Sequence, residues 1–427
     1  FLGHPVEKTL AEAAVPEECR NLLVTHGMLL QDGDLLRPTT LLVPCEGVWL
    51  ASDLHQQRQM DSSADHILPL NRPARHLCNF LIRRPVEQGL DLCSGNALHA
   101  LILKDFCEKV TAADLSPRAA MYCHFNAALN DRQPIQSVTG NLLEPLGEKQ
   151  FDLIVCNPPF VVTPLGEATF QANSLELDDF CRGLVKELPG HLVDGGYAQM
   201  LCEWVQVEGQ DWEERVSEWM RDLGCDVWIM LANSQFPETY ARTRCQDAGM
   251  SDARLAEREQ AWIDYFEHHR VQAIHGGIFT LRRSQNSPHW IRIDPLPDNI
   301  SQHVGDDIVE MFTAEDFLRD PATEERLLDC FPAVSSSVKL EQECAWSERA
   351  WVPESSILRP GHGLTAPLQV DAMICELVSL CDGNATLQEI LGKFAASLDA
   401  DPLAIQSQVL TIVKNLIRRG ILVPSQR

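Results

Sequence analysis

The segment Asn157-Pro158-Pro159-Phe160 combines residue types that can hold and align a planar amino or amide group. Proline fixes its backbone φ angle and lacks an amide donor, so carbonyl oxygens dominate this stretch of backbone. The side-chain oxygen of Asn157 and the carbonyl oxygen of Pro158 can accept both hydrogens of an NH2 group, while Phe160 stacks on its plane. Such an arrangement would point the nitrogen at an electrophile. The alternative interpretation is a rigid turn at the edge of a β-sheet.

A second segment, Asp91-Leu92-Cys93-Ser94-Gly95-Asn96-Ala97, offers small residues that let a ligand approach the backbone. As a glycine-rich nucleotide loop it is incomplete, because Cys93 and Ala97 stand where glycines would be expected. Taken alone, the segment is also explained as an ordinary turn between a strand and a helix. It therefore becomes informative only together with the segments that follow it.

Two later segments supply the remaining groups of a nucleoside site. Asp114 follows Asp91 by 23 residues, a spacing at which a carboxylate can accept hydrogen bonds from both ribose hydroxyls. The competing interpretation makes Asp114 the cap of a helix that has Pro117 in its first turn. Asn141 can hydrogen-bond an adenine amine, with Leu142 against the ring, and a plain loop explains these two residues equally well.

Short apolar segments alternate with helical patterns from residue 76 to about residue 285, which predicts a parallel α/β sheet. The candidate strands are 89–92, 109–112, 135–138, 151–156, 197–203, 226–231 and 277–282. Each polar segment described above follows one of the first four strands, so all should meet at the carboxyl edge of the sheet. The polar helical stretch 251–269 either caps a pocket there or packs its aromatic side chains on the sheet. Glu203, after the fifth strand, is a candidate general base.

The flanking sequence divides into three further parts. Residues 1–75 combine a helix pattern, a hairpin turn and an apolar strand, which predicts an accessory N-terminal module. Residues 286–360 are rich in acidic pairs and are expected to form a solvated, partly irregular connector. Residues 361–427 give three helices and a short strand, which predicts a winged-helix-like C-terminal domain. Its few basic residues favour protein contacts or a homodimer over DNA binding.

Composition narrows the classes of partner. The chain has 35 Lys and Arg against 61 Asp and Glu, a formal charge of −26, which disfavours general nucleic-acid binding. Its 15 cysteines form no CxxC pair, so neither a zinc site nor a disulfide framework is predicted. No apolar run reaches membrane-spanning length and nothing resembles a signal peptide, so a cytoplasmic protein without a metal or a membrane partner is expected.

In order and spacing, the four polar segments resemble those of class I S-adenosylmethionine-dependent methyltransferases. The match is to the branch with an Asn-Pro-Pro-Tyr/Phe motif, which includes release-factor glutamine N5-methyltransferases, the methyltransferase small domain RNA guanine enzymes and adenine N6-methyltransferases. The resemblance covers residues 76–285. It implies a Rossmann-like methyltransferase sheet of seven strands, the last of them antiparallel, between the N-terminal accessory module and the C-terminal winged-helix-like domain.

The resemblance also implies roles for individual residues. Asp91 and Gly95 would lie along the methionine part of the cofactor, Asp114 at the ribose and Asn141 at the adenine. The residues implied as cofactor-binding are Asp91, Cys93, Gly95, Asp114, Leu115, Asn141, Leu142 and Asn157, and those implied as catalytic are Asn157, Pro158 and Phe160. Two departures stand out: Cys93 and Ala97 replace loop glycines, and Asn141 stands where aspartate is common.

The function expected from these residues is methyl transfer from S-adenosyl-L-methionine to a planar amide or amine of a small molecule or of a protein or peptide. One alternative is N-methylation of an RNA or DNA base, which the acidic charge disfavours. Another is a protein that binds the cofactor without transferring methyl and acts as a sensor or scaffold through its C-terminal domain. The intact Asn-Pro-Pro-Phe segment argues against that alternative, since a scaffold has no need of an acceptor clamp.

Overall fold

The computed structural model describes residues 3–54, 65–164, 175–246, 252–285, 288–297, 300, 303–320, 322–347, 349–361 and 363–425. It divides into two compact units, Phe1–Asp294 and Pro295–Arg427. The four-part division expected from the sequence places further boundaries inside both units, and those boundaries stay a prediction. Within the described residues, none of the helices combines the length and the apolar character that a membrane span requires.

The first elements of the chain are short helices and hairpins. They are β1 (Val6–Glu7), α1 (Lys8–Ala14), α2 (Glu17–Thr25), β2 (Leu29–Asp32), β3 (Leu35–Pro38), β4 (Thr40–Cys45) and β5 (Val48–Asp53). The predicted helix and hairpin are confirmed, and Gly33 takes the positive φ of 61° that the hairpin turn requires.

The remainder of the first unit is a sheet with helices on both faces. Its strands are β6 (Val86–Leu92), β7 (Cys107–Asp114), β8 (Gln136–Thr139), β9 (Phe151–Cys156), β10 (Leu192–Val207), β11 (Cys225–Gln235), β12 (Val271–Arg283) and β13 (Ile291–Pro295). Its helices are α3 (Arg72–Phe80), α4 (Leu98–Leu103), α5 (Pro117–Leu129), α6 (Asp179–Glu187), α7 (Trp212–Trp219), α8 (Pro237–Gln246) and α9 (Asp252–His268).

The strand order is β13-β11-β12-β10-β9-β6-β7-β8. Strands β6 to β10 are parallel, and β12 runs antiparallel to both of its neighbours, as the resemblance implies. The chain leaves central β6 for β7 on one side and later returns to β9 on the other, which creates a switch point at the carboxyl edge. The expectation of seven strands is wrong by one, because β13 adds an eighth at the β11 edge. Val227 donates its N–H to the Trp290 carbonyl at 2.8 Å just before this added strand.

The N-terminal strands are joined to the sheet layer by side-chain amides. Asn126 of α5 accepts the N–H of Ala51 at 2.8 Å and donates to its carbonyl at 3.0 Å, as a neighbouring strand would. The buried carboxylate of Asp53 accepts from the Arg118 guanidinium of the same helix at 2.6 Å. These bonds explain why residues 1–75 belong to the same compact unit as the sheet.

The second unit contains more regular structure than the sequence suggests. Its elements are α10 (Gly305–Arg319), α11 (Thr323–Asp329), β14 (Phe331–Val334), β15 (Lys339–Ser347), β16 (Ala350–Arg359), β17 (Leu368–Val370), α12 (Ala372–Ser379), α13 (Leu387–Ser397), α14 (Pro402–Arg418) and β18 (Leu422–Ser425). The three helices and the strand predicted after residue 361 are confirmed, including the Thr386 cap of α13.

The structure contradicts the expectation that residues 286–360 form an irregular connector. Two helices and four strands occupy most of its described residues, and Ile308, Phe312, Leu327 and Leu358 are buried. The acidic side chains that suggested a solvated segment lie mostly on the exposed faces of these elements, while the apolar residues between them form a core.

Candidate active site

The loop from Asp91 to Ala97 joins the central strand β6 to α4. Asp91 is fully buried, and its Oδ2 accepts the N–H of Ala100 in the first turn of the helix at 2.8 Å. Its other oxygen lies 3.7 Å from Nδ1 of His99. Burial disfavours the charged imidazole, but the neighbouring Asp91 and Cys78 outweigh it and raise the pKa of His99 well above its usual value. Asp91 thus holds the start of α4 against the end of the sheet.

Three alternate residues of this loop have left-handed backbones. The φ angles are 60° at Cys93, 51° at Gly95 and 63° at Ala97. The loop therefore keeps the conformation that a glycine-rich loop would adopt at positions where the sequence has replaced glycine. A left-handed residue with a side chain costs roughly 1–2 kcal/mol. The side chains of Cys93 and Ala97 therefore add backbone strain to the loop without changing the path of its backbone.

Asp114, at the end of β7, connects the first two loops of the edge. Its Oδ2 accepts the Gly95 N–H at 2.8 Å and its Oδ1 accepts the Ser116 N–H at 2.9 Å. The helix cap of α5 is Ser116, whose side chain accepts from Arg118 N–H at 3.1 Å. The capping interpretation of Asp114 is therefore not needed to explain α5. Each carboxylate oxygen keeps a lone pair for a ligand.

The electrostatic environment of Asp114 raises its pKa above the usual value. Burial is the main cause, and the charge of Asp91 acts in the same direction. The backbone N–H groups that it accepts from, those of Ser116 and Gly95, oppose the shift. A hydroxyl donor at this position would further favour the ionised carboxylate.

The third loop brings Asn141 and Leu142 to the same edge. Gly140 donates its N–H to the Asp114 carbonyl at 3.0 Å, which fixes this loop beside Asp114. Asn141 is exposed and donates from Nδ2 to Glu144 Oε1 at 2.8 Å. Leu142 has a φ of 47° and packs partly against the sheet core.

The Asn-Pro-Pro-Phe segment begins where β9 ends, beside β6. Cys156 pairs with Leu92 in register, so Asn157 follows the strand end next to the loop that starts at Cys93. Asn157 is half-buried, and its side-chain amide forms no hydrogen bond with another residue that the structure describes. Pro158 is buried, and its carbonyl accepts the Phe160 N–H at 2.8 Å, which closes a three-residue turn. One lone pair of that carbonyl remains for a second donor.

Helices α8 and α9 lie behind this segment. Val161, Val162 and the half-buried Phe160 pack in one apolar cluster with Trp262 and Phe266 of α9. Of the two alternatives for stretch 251–269, the structure shows the packing of its aromatic side chains against the sheet layer. This packing supports the backbone that follows the Asn-Pro-Pro-Phe segment.

Two residues that sequence reasoning missed lie on α8. Tyr240 donates its hydroxyl to Glu203 Oε2 at 2.5 Å, and the Arg244 guanidinium donates to Glu203 Oε1. Burial raises the pKa of Glu203, while Arg244 and Tyr240 counteract the shift. A carboxylate held by two donors is not placed as a free base. The i, i+4 spacing of Tyr240 and Arg244 was the available signal, since it puts both on one helix face.

The arrangement fits a nucleoside cofactor with an adenine end. Apart from the two chain neighbours of Gly95, no heavy atom of the residues that the structure describes lies within 4 Å of the place where its Cβ would stand, so the loop leaves open space there. Leu115, next to Asp114, is 70% exposed, which leaves an apolar side chain available to a flat ring. The carboxylate, the open glycine and the exposed apolar side chain occur together at the switch point.

Comparisons with known proteins agree with this location. Residues 70–177 match the family model described as the methyltransferase small domain, and residues 309–424 match a model described as a domain of unknown function, DUF7782. The chain is 31% identical over 134 residues to the ribosomal protein uL3 glutamine methyltransferase of Bradyrhizobium diazoefficiens, which covers 28% of this chain and 40% of that protein. The corresponding protein of Xanthomonas campestris pv. campestris is 27% identical over 132 residues, covering 28% of this chain and 42% of its own length.

One further curated protein and one crystal structure are also similar to this chain. The release factor glutamine methyltransferase of Thermodesulfovibrio yellowstonii is 37% identical over 85 residues, covering 19% of this chain and 30% of that protein. The crystal structure of a methyltransferase from Pyrococcus furiosus superposes with a TM-score of 0.31 and 17% identity, covering 54% of this chain and 98% of that one. The chain spans less than half the length of the curated relatives named here. The resemblance to a class I methyltransferase of this branch is confirmed for residues 70–177.

Proposed function

We propose that this chain transfers the methyl group of S-adenosyl-L-methionine to the side-chain amide nitrogen of a protein substrate. The observation that carries the proposal is the Asn157 amide, which stands half-buried and without a described partner at the strand end beside the loop of Cys93. An amide side chain offers both a donor and an acceptor, so a ligand amide is a complementary partner for it.

The residues proposed to hold the cofactor lie on the three loops of the carboxyl edge. Asp114 would accept from the ribose hydroxyls, Asn141 and Leu142 would contact the adenine, and Gly95 would admit the methionine part. We propose that Cys93 and Leu115 line the same site. The buried Asp91 fixes the loop by accepting the Ala100 N–H. When bound, S-adenosylmethionine supplies an electrophilic methyl group on a sulfonium.

The acceptor would be held by Asn157, Pro158 and Phe160. The Asn157 side-chain oxygen and the second lone pair of the Pro158 carbonyl accept the two amide hydrogens, and Phe160 covers the amide plane. Accepting both hydrogens raises electron density on the nitrogen while positive charge develops there, which favours the transition state over the ground state. As the new N–C bond forms and the methyl–sulfur bond breaks, the nitrogen releases one of these protons to water. Alignment of the nitrogen contributes the larger share of the rate.

A protein acceptor is favoured over a nucleic acid. Curated relatives are named for glutamine in ribosomal protein uL3 and in release factor, and the chain's formal charge of −26 opposes phosphate binding. We place the activity in the cytoplasm, where such substrates occur. The helices of the C-terminal domain, which we interpret as winged-helix-like, would contact the acceptor protein or a second copy of the chain.

The test uses cofactor labelled in its methyl group and the full chain. The labelled cofactor is incubated with purified uL3, with purified release factor and with a fractionated cell extract, and modified residues are located by mass spectrometry. Label on an amide nitrogen of a protein is the expected result. Label in the RNA or small-molecule fraction would overturn the protein acceptor. Cofactor binding by calorimetry without label in any fraction would favour the sensor function instead.

A further inference from the structure

A buried polar group connects the helix α8 to the Asn-Pro-Pro-Phe segment. Tyr240 is 2% exposed and Glu203 is 7% exposed, and their side chains share a hydrogen bond of 2.5 Å. The oxygen of Tyr240 also accepts the backbone N–H of Val162 at 3.0 Å. Val162 lies two residues after Phe160 and is itself fully buried.

We propose that Tyr240 is a positioning residue that fixes the Asn157–Phe160 backbone for the acceptor, with Glu203 and Arg244 fixing the direction of its hydroxyl. The proposal rests on the proposed function and deepens its acceptor half. Tyr240 acts through Val162 and need not touch the substrate.

The direction of the hydroxyl follows from its partners. A tyrosine hydroxyl has one proton and two lone pairs. Because the proton is given to the Glu203 carboxylate, the lone pairs are left for the Val162 N–H. Arg244 neutralises the buried carboxylate and stacks near the Tyr240 ring, with its guanidinium carbon 5.1 Å from the ring centre. The three residues therefore admit one hydroxyl orientation.

The fixed N–H of Val162 limits how the preceding backbone can move. Two residues earlier, the Phe160 N–H is held by the Pro158 carbonyl at 2.8 Å, and proline restricts φ at positions 158 and 159. The segment between Asn157 and Val162 is thus held at both ends and in the middle. Since the Pro158 carbonyl is proposed to accept an acceptor hydrogen, its direction depends on this support.

The first experiment compares Tyr240→Phe with Tyr265→Phe in the full chain. The second tyrosine, on the neighbouring helix α9, is a matched control, because its hydroxyl also accepts a backbone N–H, that of the half-buried Leu177, at 3.0 Å. Tyr240→Phe keeps the ring contacts with Trp262 and Phe266 and loses only the hydroxyl. We expect kcat for methyl transfer to fall about 10- to 100-fold, with acceptor KM and cofactor Kd within about threefold, as misalignment of a bound acceptor predicts. Tyr265→Phe should leave kcat nearly unchanged.

Amide hydrogen exchange separates failure of this inference from failure of the proposed function. Exchange at Val162 should accelerate in Tyr240→Phe and not in Tyr265→Phe, whichever acceptor the chain uses. Unchanged exchange at Val162 would overturn the inference even if no methyl transfer is found. Equal kcat in the two variants would overturn it when the parent chain transfers methyl.

A second variant protects the test if Tyr240→Phe does not fold. Glu203→Gln keeps the shape of the side chain and an acceptor oxygen but removes the charge that orients the hydroxyl. Its kcat should fall less than that of Tyr240→Phe, and the double variant should be no slower than Tyr240→Phe alone, because both changes act through one bond. Additive losses would show that Glu203 acts independently and would contradict the positioning role.

Discussion

The two halves of the candidate active site fix their backbones by different means. In the cofactor half, Cys93, Gly95 and Ala97 hold left-handed φ angles, and the carboxylates of Asp91 and Asp114 bind N–H groups at and after the loop. In the acceptor half, prolines restrict the chain covalently, and packing with the helices α8 and α9 supports it from behind.

The contrast shows where each half tolerates substitution. A loop held by two carboxylates can lose two glycines and keep its path, since the anchoring bonds offset the strain. The acceptor segment is proposed to act through the groups it presents, the Asn157 amide and the second lone pair of the Pro158 carbonyl. We therefore expect changes in the acceptor half to affect catalysis, and changes in the cofactor half to affect affinity and stability.

The largest effect should come from Asn157→Ala. Removing the amide leaves the acceptor nitrogen without its side-chain hydrogen-bond partner, so methyl transfer should fall by more than about 100-fold, the size expected when a reacting group is misaligned. Cofactor affinity should stay within a few-fold, because the loops of Gly95 and Asp114 are untouched. Single-turnover transfer and calorimetry measure the two quantities. Equal loss of rate and affinity would place Asn157 in the cofactor half and break the comparison.

Much of the fold could be predicted from the sequence, because strand patterns and motif spacing report on the same sheet. Seven of the eight strands correspond to apolar segments, and the polar residues that follow the first, second and third of them meet at one edge, as expected for parallel strands. The edge strand β13 was missed, because its alternating residues Ile291 to Asp294 are few and follow a polar stretch. The helices and strands between residues 305 and 359 were also missed, because their many acidic side chains suggested a solvated, irregular segment.

Only those parts of the site that lie within short sequence motifs could be predicted from the sequence. The left-handed angles at Cys93 and Ala97 could not be read from residue types that usually avoid them. The connection from Val162 through Tyr240 to Glu203 joins residues that lie 78 and 37 positions apart along the chain, which is further than any single motif spans. Such contacts are set by how α8 packs on the sheet, which no short pattern records.

A smaller effect is expected for Asp114→Ala. Loss of a charged hydrogen-bond partner should weaken cofactor binding by roughly 1–3 kcal/mol, about 5- to 150-fold in Kd. The matched control is Ser116→Ala, which removes the cap of α5 and leaves both bonds of Asp114 in place. Calorimetry on the two variants separates the ribose contact from helix stability. Unchanged affinity in Asp114→Ala would refute its assignment.

The raised pKa of Asp114 predicts that cofactor affinity and folding stability change in opposite directions with pH. Cofactor affinity should fall as the pH drops through this pKa, which lies above that of an ordinary aspartate, because protonation removes an acceptor charge. The folded chain without cofactor binds this proton more tightly than the unfolded chain does. The contribution of Asp114 to stability is therefore present at low pH and lost as the pH rises through the folded pKa.

Both signs can be measured as differences between the parent chain and Asp114→Ala. Titration calorimetry gives the affinity, and thermal unfolding at the same pH values gives the stability. The pH dependence of affinity should be weaker in the variant. An identical dependence in both chains would assign it to another group and remove the electrostatic part of the comparison.

The smallest effect concerns the strain in the cofactor loop. Ala97→Gly removes a left-handed side chain and so relieves roughly 1–2 kcal/mol, but it loses a buried methyl group and adds about 0.4–1 kcal/mol of unfolded-state entropy. The free energy of unfolding should therefore change by less than about 1 kcal/mol, with cofactor affinity unchanged, whereas Ala97→Val should destabilise the chain because a β-branched residue strongly disfavours this φ. Urea unfolding of the three chains measures the difference. If valine were tolerated as well as glycine, the left-handed loop would not be under strain, and the two halves of the site would not differ in how their backbones are held.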